Sequence, residues 1–459
     1  MFRSIPSVDE LVNSAKGKSL EDIFGRSALL VSIRTVLDKI RKDAGRKGGP
    51  EDFSAESILR RAEKFLENKN SPSLREAVNA TGIILHTGLG RAVLPPSAVG
   101  QINSAIKGYC TLAVDAETGQ RGSREEHVKH LVCELTGAED ATVVNNNAAA
   151  TILILNTLAG GREVIVSRGQ LIEIGGSFRM PEIMEASGVI LRETGTTNKT
   201  HLKDYASAIG EKTGAILHVH HSNYRIMGFA EEPSVGELVQ LAGKHKLPVI
   251  DDLGSGALVS LEEYGLQPEP LVTESIRKGV SVICFSGDKL IGGPQSGIIA
   301  GKAEFIGRIR KNPLARAFRV DKMSIAGLEA TLKLFLNPEK LKSEHPVYRM
   351  FSLSPEELDL RAQRFMGILP ASVHEKAEIS VVKGFSLIGS GSAPVEALPS
   401  KLLSVKPCKI SAEDLARKLR YNNPPVFTRI HKGSVLLDLR TMQEEEEKIV
   451  AEALSSILC

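Results

Sequence analysis

Lys289 is the residue of this chain with the clearest chemical potential. It stands in Cys284-Phe285-Ser286-Gly287-Asp288-Lys289-Leu290-Ile291-Gly292-Gly293, where an apolar strand (Val280, Val282, Ile283, Cys284, Phe285) runs into a small polar turn and then a glycine-rich loop. A free lysine has a pKa of about 10.4, so an amine that works near neutrality needs surroundings that lower it. The end of a strand in an apolar sheet supplies them by desolvation. With Ser286 and backbone N–H groups beside the amine, the segment suits a lysine that holds pyridoxal phosphate as a Schiff base, the serine lying on its phosphate. A solvated lysine at a turn is the competing reading.

A second apolar strand, Pro248-Val249-Ile250-Asp251-Asp252-Leu253-Gly254-Ser255-Gly256, ends in carboxylates. Pyridoxal chemistry needs an anion at the pyridine nitrogen to keep that nitrogen protonated. Side chains alternate along a strand, so Asp251 and Asp252 face opposite sides and one of them can reach the ring. Asp251 is the preferred candidate; capping of a helix by Asp252 or Ser255 is the plain alternative. In Val143-Val144-Asn145-Asn146-Asn147-Ala148-Ala149-Ala150 a strand turns into an Ala-rich helix start. Unpaired N–H groups and the positive dipole end suit a phosphate there, so Asn146, Asn147 and Ala148 are read as part of its cradle, with plain capping as the alternative.

His218-Val219-His220-His221-Ser222-Asn223-Tyr224-Arg225 ends another strand. His218 and His220 share a face, but no third ligand accompanies them, so no metal is expected. Ser222 or Asn223 is the expected partner of the cofactor's phenolic oxygen, with a histidine packed near the ring. Arg316 and Arg319 are three apart and would share one helix face, while Arg91 closes the glycine-rich turn His86-Thr87-Gly88-Leu89-Gly90-Arg91. Guanidinium forks bind carboxylate and phosphate-like oxyanions. These three form one anion pocket if the cofactor assignment holds and are surface ion pairs otherwise. The chain has no G-x-x-x-x-G-K-[ST], no G-x-G-x-x-G after a strand and no H-E-x-x-H, which removes the anchors of ATPase, dinucleotide and zinc-protease readings.

The elements that must position these groups follow from periodicity. Residues 1–70 read as a small helical domain: Ser7-x-x-Glu10 is a capping-box pattern, Leu29, Leu30, Ile33, Val36, Leu37 and Ile40 recur at helical spacing, and Ser54 or Ser57 caps a third helix. Arg26, Arg34, Lys39, Arg41, Lys42, Arg46 and Lys47 outnumber Asp38 and Asp43 there, up to Gly48-Gly49-Pro50. That surplus is either a solvated helix face or a module contacting RNA phosphates. Residues 71–335 alternate strand and helix, with apolar segments at 141–145, 163–167, 188–192, 215–219, 247–252, 280–285 and 297–301. This is the pattern of a mostly parallel sheet wrapped by helices, on which ligands bind beyond the carboxyl ends of strands. A long helix at 322–337 leads to a smaller α/β domain at 336–459, with strands at Val381-Val382, Val426-Phe427 and Val435-Leu439.

The 459 residues are 42% hydrophobic and 25% charged, ordinary for a globular protein with a large core. No apolar run approaches the ~20 residues of a membrane span. Five scattered cysteines without a C-x-x-C pair point to reduced thiols and the cytoplasm. A net charge of +3 leaves any basic footprint local.

Several segments together resemble the bacterial selenocysteine synthase (L-seryl-tRNA(Sec) selenium transferase) family. They are Asn79-Ala80-Thr81-Gly82, Leu85-His86-Thr87, Ser167-Arg168-Gly169, Glu173 to Arg179, Glu193-Thr194-Gly195-Thr196-Thr197-Asn198, His221-Ser222-Asn223-Tyr224, Asp251 to Gly256 and Ser286-Gly287-Asp288-Lys289. The resemblance implies a fold-type I pyridoxal-phosphate enzyme that replaces the hydroxyl of seryl-tRNA(Sec) by selenium from selenophosphate. It implies Lys289 as the cofactor lysine, and Asp288, Arg91, Arg316 and Arg319 around the substrate or the donor's oxyanion. It also implies a tRNA-gripping N-terminal domain and a pentamer of dimers with active sites between subunits. A lyase for a small free amino acid or amino sugar is the alternative activity.

Overall fold

The computed structural model describes residues 5–43, 52–174, 178–221, 224, 226, 228–390 and 397–459. The chain forms two compact units, Met1–Glu76 and Ala77–Cys459.

The first unit contains helices α1 (Val8–Asn13), α2 (Ala15–Phe24), α3 (Arg26–Asp43) and α4 (Ala55–Asn70). The starts of α1, α2 and α4 are fixed by serines that satisfy otherwise unpaired N–H groups. Ser7 and Glu10 exchange reciprocal bonds of 3.2 and 2.7 Å, Ser14 accepts from Gly17 at 3.0 Å, and Ser54 accepts from Ser57 at 3.3 Å. Leu29, Ile33, Val36, Leu37 and Ile40 of α3 are buried against Leu11, Leu20, Ile58 and Leu66. The opposite face of α3 exposes Arg26, Arg34, Lys39, Arg41 and Lys42. Arg46, Lys47 and the Gly48-Gly49-Pro50 turn lie outside the described residues.

The second unit is built on seven strands: β1 (Asp140–Val144), β2 (Glu163–Ser167), β3 (Ile190–Thr194), β4 (Thr213–Val219), β5 (Val249–Gly254), β6 (Val282–Ser286) and β7 (Gly297–Gly301). Their order is β1-β7-β6-β5-β4-β2-β3, with β7 antiparallel to both neighbours and every other pairing parallel. Strands buried on both faces need apolar residues at every position, which is why the segments read as near-continuous runs. Alternation divides the side chains between two cores. Ile216, Val249, Leu253, Ile283 and Phe285 enter one; Leu217, Val219, Ile250, Val282 and Cys284 enter the other, under the helix Asn147–Ala159. Each fully buried Leu, Ile or Val contributes about 1.5–3 kcal/mol relative to exposure, so Leu153, Ile154 and Leu155 of that helix, buried in the same core, anchor its N-terminus at the sheet end.

A second, antiparallel sheet joins Ala377–Leu387, Ala397–Pro407, Ser434–Asp438 and Arg429–His431 over its own core. Val78–Asn79 pairs with Val426–Phe427, and Val78 and Ala80 are buried in that core. The chain therefore begins its second unit in the C-terminal layer before entering the large sheet. Among the described residues no helix is long and apolar enough to cross a membrane.

Candidate active site

The turn after β6 is closed by its own backbone. Gly287 N–H donates to the Ser296 carbonyl at 2.8 Å, Gly293 N–H to the Gly287 carbonyl at 2.8 Å, and Gly292 N–H to the Lys289 carbonyl at 2.9 Å. Lys289 is left only 6% exposed. Burial pulls its pKa below the usual lysine range and the Arg91 charge adds to this, while Asp252, Asp288 and Glu269 oppose it.

Lys289 lines a cavity of about 460 Å³ with Ser286, Asp252, Asn146, Asn147, Ala148, Arg91 and His220. The carboxylate in this wall is Asp252, which overturns the preference for Asp251. On β5 the cavity-side face carries Ile250 and Asp252. Asp251 points through the sheet and binds His218 Nδ1 at 2.7 Å. Burial alone would lower the His218 pKa, but the Asp251 charge and hydrogen bond outweigh it and the net shift is upward. Asp252 accepts from Asn147 Nδ2 at 2.8 Å, Thr151 Oγ1 at 2.9 Å and Gly254 N–H at 3.1 Å.

The helix Asn147–Ala159 points its N-terminus into the cavity. Asn146 caps it, its Oδ1 accepting from Ala149 N–H at 2.9 Å, so the plain capping role applies to that side chain. Among the described residues the N–H groups of Asn147 and Ala148 have no hydrogen-bond partner, and both residues line the cavity together with Ser286, which suits a phosphate. Gly297 keeps this corner open: a Cβ there would lie 2.2 Å from the Asn146 carbonyl oxygen and 2.9 Å from Asn147 N. Gly297→Ala is expected to destabilise the fold by about 1–3 kcal/mol through overpacking, read as a lower denaturation midpoint.

Arg91 donates to Asp288 Oδ2 at 2.6 Å and faces the cavity from a left-handed backbone position, φ 65°. Arginine gains nothing locally from that conformation, so the turn is held by its surroundings. Arg316 and Arg319 are exposed and absent from the cavity wall. The helix Pro313–Ala317 ends before Arg319, so the two arginines do not share a helix face. They flank Phe318, whose carbonyl accepts from Asn145 N–H at 2.8 Å, and their charges act on Arg124.

His220 lines the cavity, and burial holds its pKa down to about 4, keeping the imidazole neutral. Asn223 and Ser222 lie outside the described residues. Sequence reasoning missed Thr151, one helical turn after Asn147, and the closing wall. Part of that wall is Thr87 and Ser390, whose hydroxyls are 3.2 Å apart, and part is the apolar set Ile172, Ile174, Phe178 and Met180. Ser390 had no signal, since it comes from a loop some 300 positions away that bonds the Leu85 carbonyl.

Residues 77–443 match the L-seryl-tRNA selenium transferase family, and residues 2–41 match the selenocysteine synthase N-terminal family. The chain belongs to the L-seryl-tRNA selenium transferase family. It is similar to two relatives named L-seryl-tRNA(Sec) selenium transferase. That of Alkaliphilus metalliredigens is 46% identical over 461 residues, spanning 100% of this chain and 98% of the relative. That of Carboxydothermus hydrogenoformans is 47% identical over 449 residues, spanning 97% and 95%. The solved structure of D-glucosaminate-6-phosphate ammonia-lyase is similar with a TM-score of 0.58 and 19% identity, covering 84% of this chain and 96% of that one. That likeness is one of fold. It agrees with the fold-type I α/β architecture expected of the L-seryl-tRNA selenium transferase family.

Proposed function

We propose that the chain converts L-seryl-tRNA(Sec) to L-selenocysteinyl-tRNA(Sec) with selenophosphate, by β-elimination of water and β-addition of selenium, using pyridoxal phosphate. The observation that carries this reading is the burial of Lys289 in one cavity with Asp252, at the end of a parallel sheet, in a member of this family. When bound, pyridoxal phosphate supplies an electron-withdrawing ring that spreads the negative charge left on Cα. The Asn147 and Ala148 N–H groups and the Ser286 hydroxyl would hold its phosphate. Asp252 would keep the proton on the ring nitrogen, and His220, held neutral by burial, would line the same cavity without adding charge. Lys289 Nζ, made less basic by burial, takes the Cα proton of the seryl group. Asp288 aims Arg91 at the cavity, where the guanidinium receives the anionic donor.

Arg316 and Arg319 belong to the donor site of a neighbouring copy. Their exposure without an ion pair to any described residue, together with the family's implied quaternary arrangement, supports a homo-oligomer, a pentamer of dimers. Asn223 is the proposed partner of the phenolic oxygen, and the enzyme is proposed to work in the cytoplasm.

The test supplies charged tRNA(Sec), selenophosphate and cofactor, with free serine as the comparison. Selenium incorporation into the aminoacyl-tRNA supports the reading; turnover of free serine or an amino sugar with none on charged tRNA sinks it.

The exposed cations of α3 are assigned to tRNA phosphates. Arg34→Glu combined with Lys39→Glu is expected to weaken tRNA binding about equally for all sequences. It should also flatten the salt dependence by roughly one unit of log–log slope per lost contact. Binding isotherms at several salt concentrations check this, and an unchanged slope moves RNA recognition elsewhere.

A further inference from the structure

The acid at the cavity wall is held from behind by one turn of a single helix. Asp252 is only 3% exposed, and burial pushes its carboxyl pKa up, so that the net shift is upward. Hydrogen bonds from Asn147, Thr151 and Gly254 N–H, then the Lys289 charge, act the other way. Asn147 and Thr151 are four residues apart and so share a helix face, and they take different carboxylate oxygens. Asn147 Nδ2 lies 2.8 Å from Oδ1 and Thr151 Oγ1 lies 2.9 Å from Oδ2. With Asp252 ionised the Asn147 amide has one orientation, because turned over its own oxygen would meet a carboxylate oxygen. Thr151 Oγ1 also lies 3.0 Å from the Asn147 carbonyl. Its single proton goes to the carboxylate, the charged and stronger acceptor.

We propose that Asn147 and Thr151 are positioning residues that keep Asp252 ionised and aimed into the cavity, so that this helix turn sets the protonation of the cofactor ring. The proposal rests on the pyridoxal phosphate reading and deepens it. Asn147 thereby links both ends of the cofactor: its backbone N–H stands at the phosphate corner and its side chain grips the acid. The other groups facing Asp252 do not substitute for the two donors. Lys289 is itself committed to chemistry. The Cys284 thiol, 3.8 Å from Thr151 Oγ1, is kept protonated by burial. Neutral His220 contributes only its backbone N–H, 2.9 Å from the Asp252 carbonyl.

The experiment compares wild type, Thr151→Val, Asn147→Ala and Thr151→Ser, each full-length and loaded with pyridoxal phosphate. It follows the visible band and kcat against pH, with the cofactor dissociation constant as a separate readout. A hydrogen bond to a charged group shifts its titration by about one to two units. Asp252 then protonates at higher pH in Thr151→Val and Asn147→Ala. The acid limb of the band and of kcat should move up by about one to two pH units while the protein stays coloured, and Thr151→Ser should restore the wild-type profile. Profiles in both variants that overlay wild type, with the cofactor bound, overturn the proposal. If Thr151→Val does not fold, Asn147→Ala decides alone. A wild type that never takes up the cofactor removes the functional reading and this one with it, an outcome distinct from coloured variants without a shift.

Discussion

Lys289→Ala is expected to give a folded protein that loses the visible band of the bound cofactor and falls in turnover on charged tRNA by at least about 10⁴-fold. Two roles disappear together. On the proposed reading the amine is the group to which the cofactor attaches and the base that reaches the Cα proton, a role worth about 10²–10⁴ by itself. Folding is expected to survive. Lys289 is buried at 6% exposure, and its carbonyl, not its side chain, closes the turn with Gly292 N–H. Removing a desolvated cation from the sheet end also lifts an unfavourable burial. The checks are an absorbance spectrum of the purified variant, a thermal melt, and single-turnover selenium transfer. A variant with the wild-type spectrum would remove the lysine, and with it the chemistry, from this cavity.

The Lys289 turn was legible because its information is local. A both-sides-buried strand announces itself by an unbroken apolar run, and Ser286-Gly287 followed by Gly292-Gly293 marks where the backbone must turn. The sheet was legible for the same reason, each of β1 to β7 falling within about two residues of an apolar segment. The choice between Asp251 and Asp252 was not local. Alternation states that they face opposite ways, but which face is the cavity depends on where the helix Asn147–Ala159 packs, and that is settled by Leu153, Ile154 and Leu155 in the core with Ile250. In the sequence Asn147 reads as part of a phosphate cradle or as a cap; Asn146 is the cap, and the Asn147 amide grips Asp252, about a hundred positions away, a bond with no local signal. The spacing of Arg316 and Arg319 misled because helical adjacency requires a helix that continues, and this one stops at Ala317. Ser390 and Thr87 meet only through the pairing of residues 83–85 with 387–388, a long-range contact with no short-range signature.

The two adjacent acids should separate cleanly under the same conservative change. Asp252→Asn keeps the shape and the bond from Thr151 but removes the negative charge that, on the proposed reading, holds the ring proton. It is expected to lower kcat by about 10²–10³ or more, the size found when one preorganised electrostatic group is removed, with little effect on stability. Asp251→Asn should do the reverse. Asp251 is 0% exposed and His218 8%, joined at 2.7 Å, and the second oxygen of Asp251 has no hydrogen-bond partner among the described residues. Losing one member of a buried pair costs about 3–5 kcal/mol. An amide can still accept from His218 Nδ1–H, so the lower end of that range is expected. The pH dependence has a definite sign. The His218 pKa is raised in the folded state above its ordinary 6.5, so the stability it contributes is complete below 6.5 and fades as pH climbs through the raised value. The gap between wild type and Asp251→Asn in denaturant midpoint should therefore be widest at acid pH and narrow at alkaline pH, while the kcat of Asp251→Asn stays within a few-fold of wild type. A large kcat loss in Asp251→Asn with normal turnover in Asp252→Asn would return the ring nitrogen to the other acid and reverse the assignment of the two faces of β5.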